Sequence, residues 1–220
     1  MVTGAAGAMG RAVVSFLEDD GLRVIGLDVR GGGLRCDVSD PQDVSKALGE
    51  IGPVDVLVNN AGILSNNKAE ATTPEEWHKV LGANLDGAFY LARGVIPGMK
   101  ARRWGRIVNT CSLAAKTGGL TAGTAYAASK GALTSLTFSL ARELAPFGVT
   151  VNGIAPAYVR TPMVTEQLTE AQRQRLIAQI PVGRFCEPEE FAHVVRFLVS
   201  PLAGFITGEI VDLNGGLVMD

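Results

Sequence analysis

Short β-rich runs alternate with longer stretches of helical period along this 220-residue chain. A parallel neighbour strand needs a long crossover, usually a helix, so this order builds a parallel sheet with helices on both faces. Strands are expected at Met1–Thr3, Leu22–Asp28, Gly33–Cys36, Val54–Asn59, Arg106–Cys111, Val149–Ile154 and Glu209–Leu213. Runs such as Val54–Val58 are nearly continuously apolar, as strands covered on both faces must be. Helix starts are marked by Asp40-Pro41, by the capping box Thr73-Pro74-Glu75-Glu76 and by Glu187-Pro188. The expected fold is an α/β, doubly wound parallel sheet of about seven strands.

No linker, repeat or low-complexity tract interrupts the alternation, which predicts one domain over residues 1–220. Between the second and third strands Gly31-Gly32-Gly33 leaves no room for a helix, so a loop must make that connection. With 47% apolar and 19% charged residues the chain can bury a sizeable core. Its longest apolar stretch, Phe191 to Gly208, is broken by His193, Arg196, Pro201 and Gly204, so no membrane span is expected. The N-terminus lacks the basic start and apolar run of an export signal, which points to the cytoplasm. A net charge of −2 without basic clusters argues against nucleic acid. Three scattered cysteines and two histidines argue against a disulfide framework or a metal site.

Directly after the first strand comes Thr3-Gly4-Ala5-Ala6-Gly7-Ala8-Met9-Gly10, leading into a helix. Gly4 permits a sharp turn, Gly7 lets backbone approach a pyrophosphate, and Gly10 allows the helix to pack closely on the strand. The helix N-terminus then offers free N–H groups to that anion. Glycines also serve any tight turn, but Asp28 ends the second strand roughly 20 residues later, where a carboxylate accepts from an adenosine ribose and repels a 2′-phosphate. That predicts NAD rather than NADP; Arg30 works the other way, and a merely solvated strand-end aspartate is the plain alternative.

Tyr126 and Lys130 lie four residues apart on one helix face. A nearby ammonium favours the phenolate, so the tyrosine pKa should fall from its reference of about 10 and make it an acid or base near neutrality. Tyrosine and lysine at this spacing also occur on helices that only pack and face solvent. The company of the glycine loop, Asn59-Asn60-Ala61-Gly62 at a strand end, Asn84 in a helix and Ser112 at another strand end decides between these readings.

In that combination and order the chain resembles the short-chain dehydrogenase/reductase family, particularly its 3-oxoacyl-reductase-like members, over essentially its whole length. The resemblance implies a single Rossmann-like oxidoreductase domain. It implies Tyr126 as general acid/base, Lys130 lowering its pKa and holding the nicotinamide ribose, Ser112 orienting the substrate oxygen, and Asn84 holding a relay water. Gly4, Gly7, Met9, Gly10, Asp28, Asn60, Ala61 and Gly62 would line the dinucleotide. Asp37 and Val38 match the adenine contact, and Asn152, Pro156, Val159 and Thr161 the segment closing over nicotinamide. Asn59, Asn109 and Asn152 could equally satisfy backbone at strand ends. The chain departs from the family pattern in its brief first strand, in the shortened loop from Asp28 to Asp37, in the trimmed link before Gly204, and in Pro156-Ala157, where alanine would be costly at positive φ.

Residues 156–186 resemble a substrate lid, and Leu113, Ala114, Thr117, Gly118, Tyr158 and Met163 would shape a mostly apolar pocket; Tyr158 and Met163 could instead be core. The expected activity is hydride transfer between NAD(P) and a carbonyl or secondary alcohol, on a 3-oxoacyl or 3-hydroxyacyl thioester or a similar apolar small molecule. The alternatives are an NAD-dependent dehydrogenase of a sugar alcohol, steroid or diol, and a non-catalytic dinucleotide sensor. The last would not need Ser112, Tyr126 and Lys130 together. The long helices from Thr73 to Lys100 and from Thr124 to Leu144 carry small or apolar residues on more than one face, and the resemblance implies a homotetramer built from dimers.

Overall fold

The computed structural model describes residues 1–162 and 169–219. Seven parallel strands lie in the order β3-β2-β1-β4-β5-β6-β7. They are β1 Val2–Thr3, β2 Gly26–Asp28, β3 Leu34–Arg35, β4 Val56–Asn59, β5 Gly105–Thr110, β6 Val149–Pro156 and β7 Ile210–Leu213. Side chains alternate across a strand, and here the alternation splits the core. Val56, Val58 and Val108 meet Val13 and Leu17 of α1 (Ala8–Asp19) and Phe191, Val195 and Leu198 of α8 (Pro188–Val199). Leu57 and Ile107 join the opposite layer, with α2 (Pro41–Ile51), α4 (Gly87–Arg102) and α6 (Thr124–Leu144). Each fully buried leucine or phenylalanine contributes roughly 1.5–3 kcal/mol.

Asp40 caps α2 by accepting from the Gln42 N–H at 2.8 Å. Thr73 accepts from the Glu76 N–H at 3.2 Å and starts α3 (Pro74–Leu81). The Glu76 carboxylate accepts instead from the Ser65 hydroxyl (2.5 Å) and the Asn67 amide (2.8 Å), so the capping box is half made. The single helix expected from Thr73 to Lys100 is interrupted by a π turn over Gly82–Asp86 before α4.

β2 reaches β3 without a helix. Gly31 and Gly32, at φ 95° and 82°, take left-handed conformations that let the chain double back in five residues. The short first strand is completed by Met1, whose amino group donates to the Val56 carbonyl (2.8 Å) and whose carbonyl accepts from Val58 (2.9 Å). Strand order reverses between β1 and β4, which opens a crevice at their C-terminal ends. Thr3 Oγ1 ties the two loops there by accepting from the Asn60 and Ala61 N–H groups, both at 2.9 Å. No described helix is long and apolar enough to cross a membrane.

Candidate active site at the carboxyl edge of the sheet

The glycine loop turns from β1 into α1 on the floor of the crevice. A Cβ on Gly10 would lie 2.1 Å from the Gly4 carbonyl oxygen, so only glycine lets helix and strand come this close. No side chain caps α1 and no acidic residue occupies its first turn, which leaves its leading N–H groups and positive dipole end for an anion. Nearby, the buried Asn60 Oδ1 has no partner among the described residues, although its Nδ2 donates to the Thr3 and Gly4 carbonyls. These groups fit a pyrophosphate-linked nucleotide.

Asp28, buried at the end of β2, accepts from the Ala6 N–H at 3.0 Å and from the Arg30 N–H at 2.9 Å. Burial pushes its pKa up, but these backbone donors and the Arg30 guanidinium outweigh it and hold the carboxyl below its ordinary value. A carboxylate has about four acceptor positions. The two backbone donors and Arg30 Nε leave one for a ribose hydroxyl. The Arg30 side chain is 68% exposed and reaches toward Gly7, where a guanidinium could meet a further phosphate. Asp37 is exposed and spends Oδ1 on the Ser39 N–H and hydroxyl, at 2.9 and 2.7 Å, in a local turn. Val38 is buried against Gly87.

Ser112 follows β5, and Tyr126 and Lys130 stand one turn apart near the start of α6. Ser112 and Tyr126 line the same cavity, and the Ser112 hydroxyl is close enough to the phenol to favour its phenolate. Lys130 Nζ donates to the Thr110 carbonyl at 2.7 Å and lies 5.8 Å from the centre of the Tyr126 ring. Burial pushes the tyrosine pKa up; the Ser112 hydroxyl opposes this and Cys111 adds to it. The expected net fall of the phenol pKa is therefore corrected: desolvation outweighs the groups that favour the phenolate. Lys130 itself is lowered to about 8 by burial.

Asn84 sits in the π turn, a common setting for functional groups. Its amide donates to the Ile63 carbonyl and the Ser129 hydroxyl and accepts from the Ile63 N–H. A Cβ on Gly62 would be 3.0 Å from Asn84 Oδ1 and 3.5 Å from Lys130 Nζ, so both groups close on that glycine.

Beyond Ser112 and Tyr126 opens a cavity of about 300 Å³. Leu113, Ala114, Thr117 and Tyr158 line it; Gly118 does not, and Met163 lies outside the described residues. Sequence reasoning missed Leu64, Asn66, Leu120 and Leu176, which arrive from loops and from α7 (Glu170–Ile177) and carry no periodic signal. The near wall is α5 (Ala114–Thr117) with the loop after it, and Lys68 Nζ clamps that loop by donating to the Gly119 (3.0 Å) and Ala122 (2.7 Å) carbonyls.

Pro156 and Val159 are buried at the end of β6, with the half-buried Thr161 following; the Pro156 carbonyl accepts from the Leu113 N–H at 3.0 Å. The cost expected at Ala157 does not arise, because its φ is not positive. Asn152 is turned away from the crevice: its amide donates to Ile206 and accepts from Glu209, the backbone-satisfying alternative. Asn59 and Asn109 instead pair side chain to side chain at 2.9 Å, and Asn109 also donates to the Thr137 hydroxyl. Chemically the site offers a protonated phenol and a hydroxyl at one end of an apolar cavity, with a buried ammonium behind them.

A family model described as enoyl-(acyl carrier protein) reductase matches residues 4–218. The 3-oxoacyl-(acyl-carrier-protein) reductase FabG of Vibrio cholerae is 40% identical over 238 aligned positions, covering 100% of this chain and 96% of that protein. The FabG proteins of Escherichia coli and Pseudomonas aeruginosa are each 39% identical, with the same coverage. A crystal structure from Beutenbergia cavernae, described as a candidate NAD(P)-dependent gluconate 5-dehydrogenase with NADP bound at low occupancy, superposes with a TM-score of 0.91. It is 34% identical, over 98% of this chain and 95% of that one.

Proposed function

The chain belongs to the short-chain dehydrogenase/reductase family, and from that premise we propose that Tyr126 is the acid/base of an NAD(P)-dependent interconversion of a carbonyl and a secondary alcohol. The observation that carries this reading is the convergence of Ser112 and Tyr126 on one apolar cavity, with the buried Lys130 ammonium 5.8 Å from the tyrosine ring. Bound there, the nicotinamide supplies or accepts the hydride. Ser112 orients the substrate oxygen by hydrogen bonding. Tyr126, kept protonated by burial, donates its proton to that oxygen as the carbonyl is reduced. In oxidation the phenol must first lose its proton, and the Lys130 charge stabilises the phenolate once formed. Asn84, which closes on Gly62 together with Lys130, would hold a water linking the lysine to solvent.

The substrate we infer is a 3-oxoacyl or 3-hydroxyacyl thioester, the class named for the FabG relatives. Leu64, Leu113, Leu120 and Leu176 suit an apolar chain, and no lysine or arginine among the described lining residues would meet a sugar-acid carboxylate. NAD is the favoured cofactor on the open acceptor position of Asp28; the exposed Arg30 supports NADP as the second reading. The whole chain acts as one catalytic domain, with residues 156–186 as its lid: the Cys186 N–H donates to Tyr158 O (2.9 Å) and the Arg160 N–H to Cys186 O (2.8 Å), stapling the base of that segment. Exposed Phe89 on α4 and Phe138 on α6 support pairing into dimers and then a tetramer, and the proposed place of action is the cytoplasm. Mixing the protein with NADH or NADPH and a 3-oxoacyl thioester, and following loss of the reduced-cofactor absorbance, tests the activity. Absence of turnover with thioesters and simple ketones alike would reject it.

A further inference from the structure

A second cavity of about 190 Å³ lies behind the first, and Ala157 and Tyr158 line both. The backbone here is pinned, with the Ala157 N–H donating to Leu213 O at 3.1 Å and Tyr158 O accepting from Cys186 at 2.9 Å. What can open the partition is therefore the tyrosine side chain. Its ring leans on Phe185, with centroids 6.1 Å apart, and its hydroxyl meets only the exposed Thr121 hydroxyl among described residues, at 3.3 Å. Ile180, Val182 and Leu213 give the second cavity apolar walls, while Arg184 and Glu190 at its edge pair with each other at 2.6 and 2.8 Å. A space without net charge and with such walls suits an uncharged alkyl segment.

We propose that the second cavity is an extension of the substrate site and that the Tyr158 ring, as the partition between the two, sets the longest alkyl chain the site accepts. This rests on the reading of the first cavity as the substrate site. The test is calorimetric titration with straight-chain methyl ketones, from 2-butanone to 2-nonanone, with NAD⁺ present so that no reduction occurs. Each newly buried methylene contributes about 0.8 kcal/mol, roughly 4-fold in affinity, until the first cavity is full. Wild-type affinity then levels off; in Tyr158→Ala the levelling moves to longer ketones, and in Tyr158→Phe it stays. Tyr158→Leu is the milder truncation should the alanine variant fail to fold. Adding Val182→Trp to Tyr158→Ala fills the second cavity from its far wall and brings the shorter limit back, which general loosening would not do. A wild-type series that never levels, or a limit unmoved in both truncated variants, overturns the proposal. Parallel assays with NADH keep the two readings apart: reduction with an unmoved limit rejects the partition alone, and a moved limit without reduction rejects the redox assignment alone.

Discussion

The Lys130 ammonium rests against the Thr110 carbonyl at 2.7 Å, 3% exposed and with no carboxylate beside it among the described residues. Its pKa of about 8 lies below the unfolded value near 10.4, so between those limits the native state binds fewer protons than the unfolded chain. Stability attributable to this group therefore rises as pH climbs through that window, and below pH 8 its burial carries the full cost. At about 1.4 kcal/mol per pKa unit the cost is on the order of 3 kcal/mol. Urea unfolding of wild type and Lys130→Met at neutral pH and near pH 10 should show wild type gaining about that much relative to the variant. A pH-independent difference between them would contradict the depressed pKa.

Tyr126→Phe keeps the ring and removes the only proton that the mechanism moves. Turnover should fall by roughly 10²–10⁴-fold, the usual contribution of a positioned acid or base, with dinucleotide affinity unchanged. Because burial raises the phenol pKa, reduction by wild type should be flat through neutrality and oxidation should climb with pH. Steady-state rates in both directions, with NADH titrations of the variant, check this.

The fold was legible wherever one element carried its own signal. Val56–Val58 is apolar throughout because helices cover both faces, and Pro74 and Pro188 mark helix starts whatever surrounds them. β1 and β3 shrink to two residues each because strand length is set by the neighbour that the sheet supplies. The π turn at Gly82–Asp86 left no local mark. Neither did the diversion of Glu76 to Ser65 and Asn67, which depends on a loop brought back by tertiary structure. For Tyr126 and Lys130 the spacing was legible but the electrostatics were not: spacing places a charge nearby and says nothing of the desolvation that opposes it.

Lys68 reaches from the loop after β4 to hold the Gly119 and Ala122 carbonyls, 51 and 54 residues away. In Lys68→Met both acceptors lose their donor and the cavity wall loses its clamp. Amide exchange over residues 118–123 should quicken, and KM should rise several-fold with kcat little changed, because Ser112 and Tyr126 are held by other elements. Equal losses in kcat and kcat/KM would place Lys68 in the chemical step instead.

On the proposed reading, Asp28 and Arg30, themselves joined at 3.4 Å, would compete for the same corner of an adenosine ribose. Removing the carboxylate charge with Asp28→Asn leaves Arg30 to act alone, and a charge pair near a protein surface is worth about 4 kcal/mol at 4 Å before desolvation is subtracted. The ratio of NADPH to NADH affinity should therefore rise by about 10- to 100-fold in Asp28→Asn, most of it gained by NADPH. Arg30→Ala should move the ratio the other way, by weakening NADPH, because the exposed guanidinium that reaches toward Gly7 would no longer meet the 2′-phosphate. Fluorescence titrations through Trp77 and Trp104, or calorimetry, read both. Wild type binding NADPH more tightly than NADH would mean that Arg30 governs this corner and that the Asp28 carboxylate mainly orders Ala6 and Arg30, whose backbone N–H groups it already accepts.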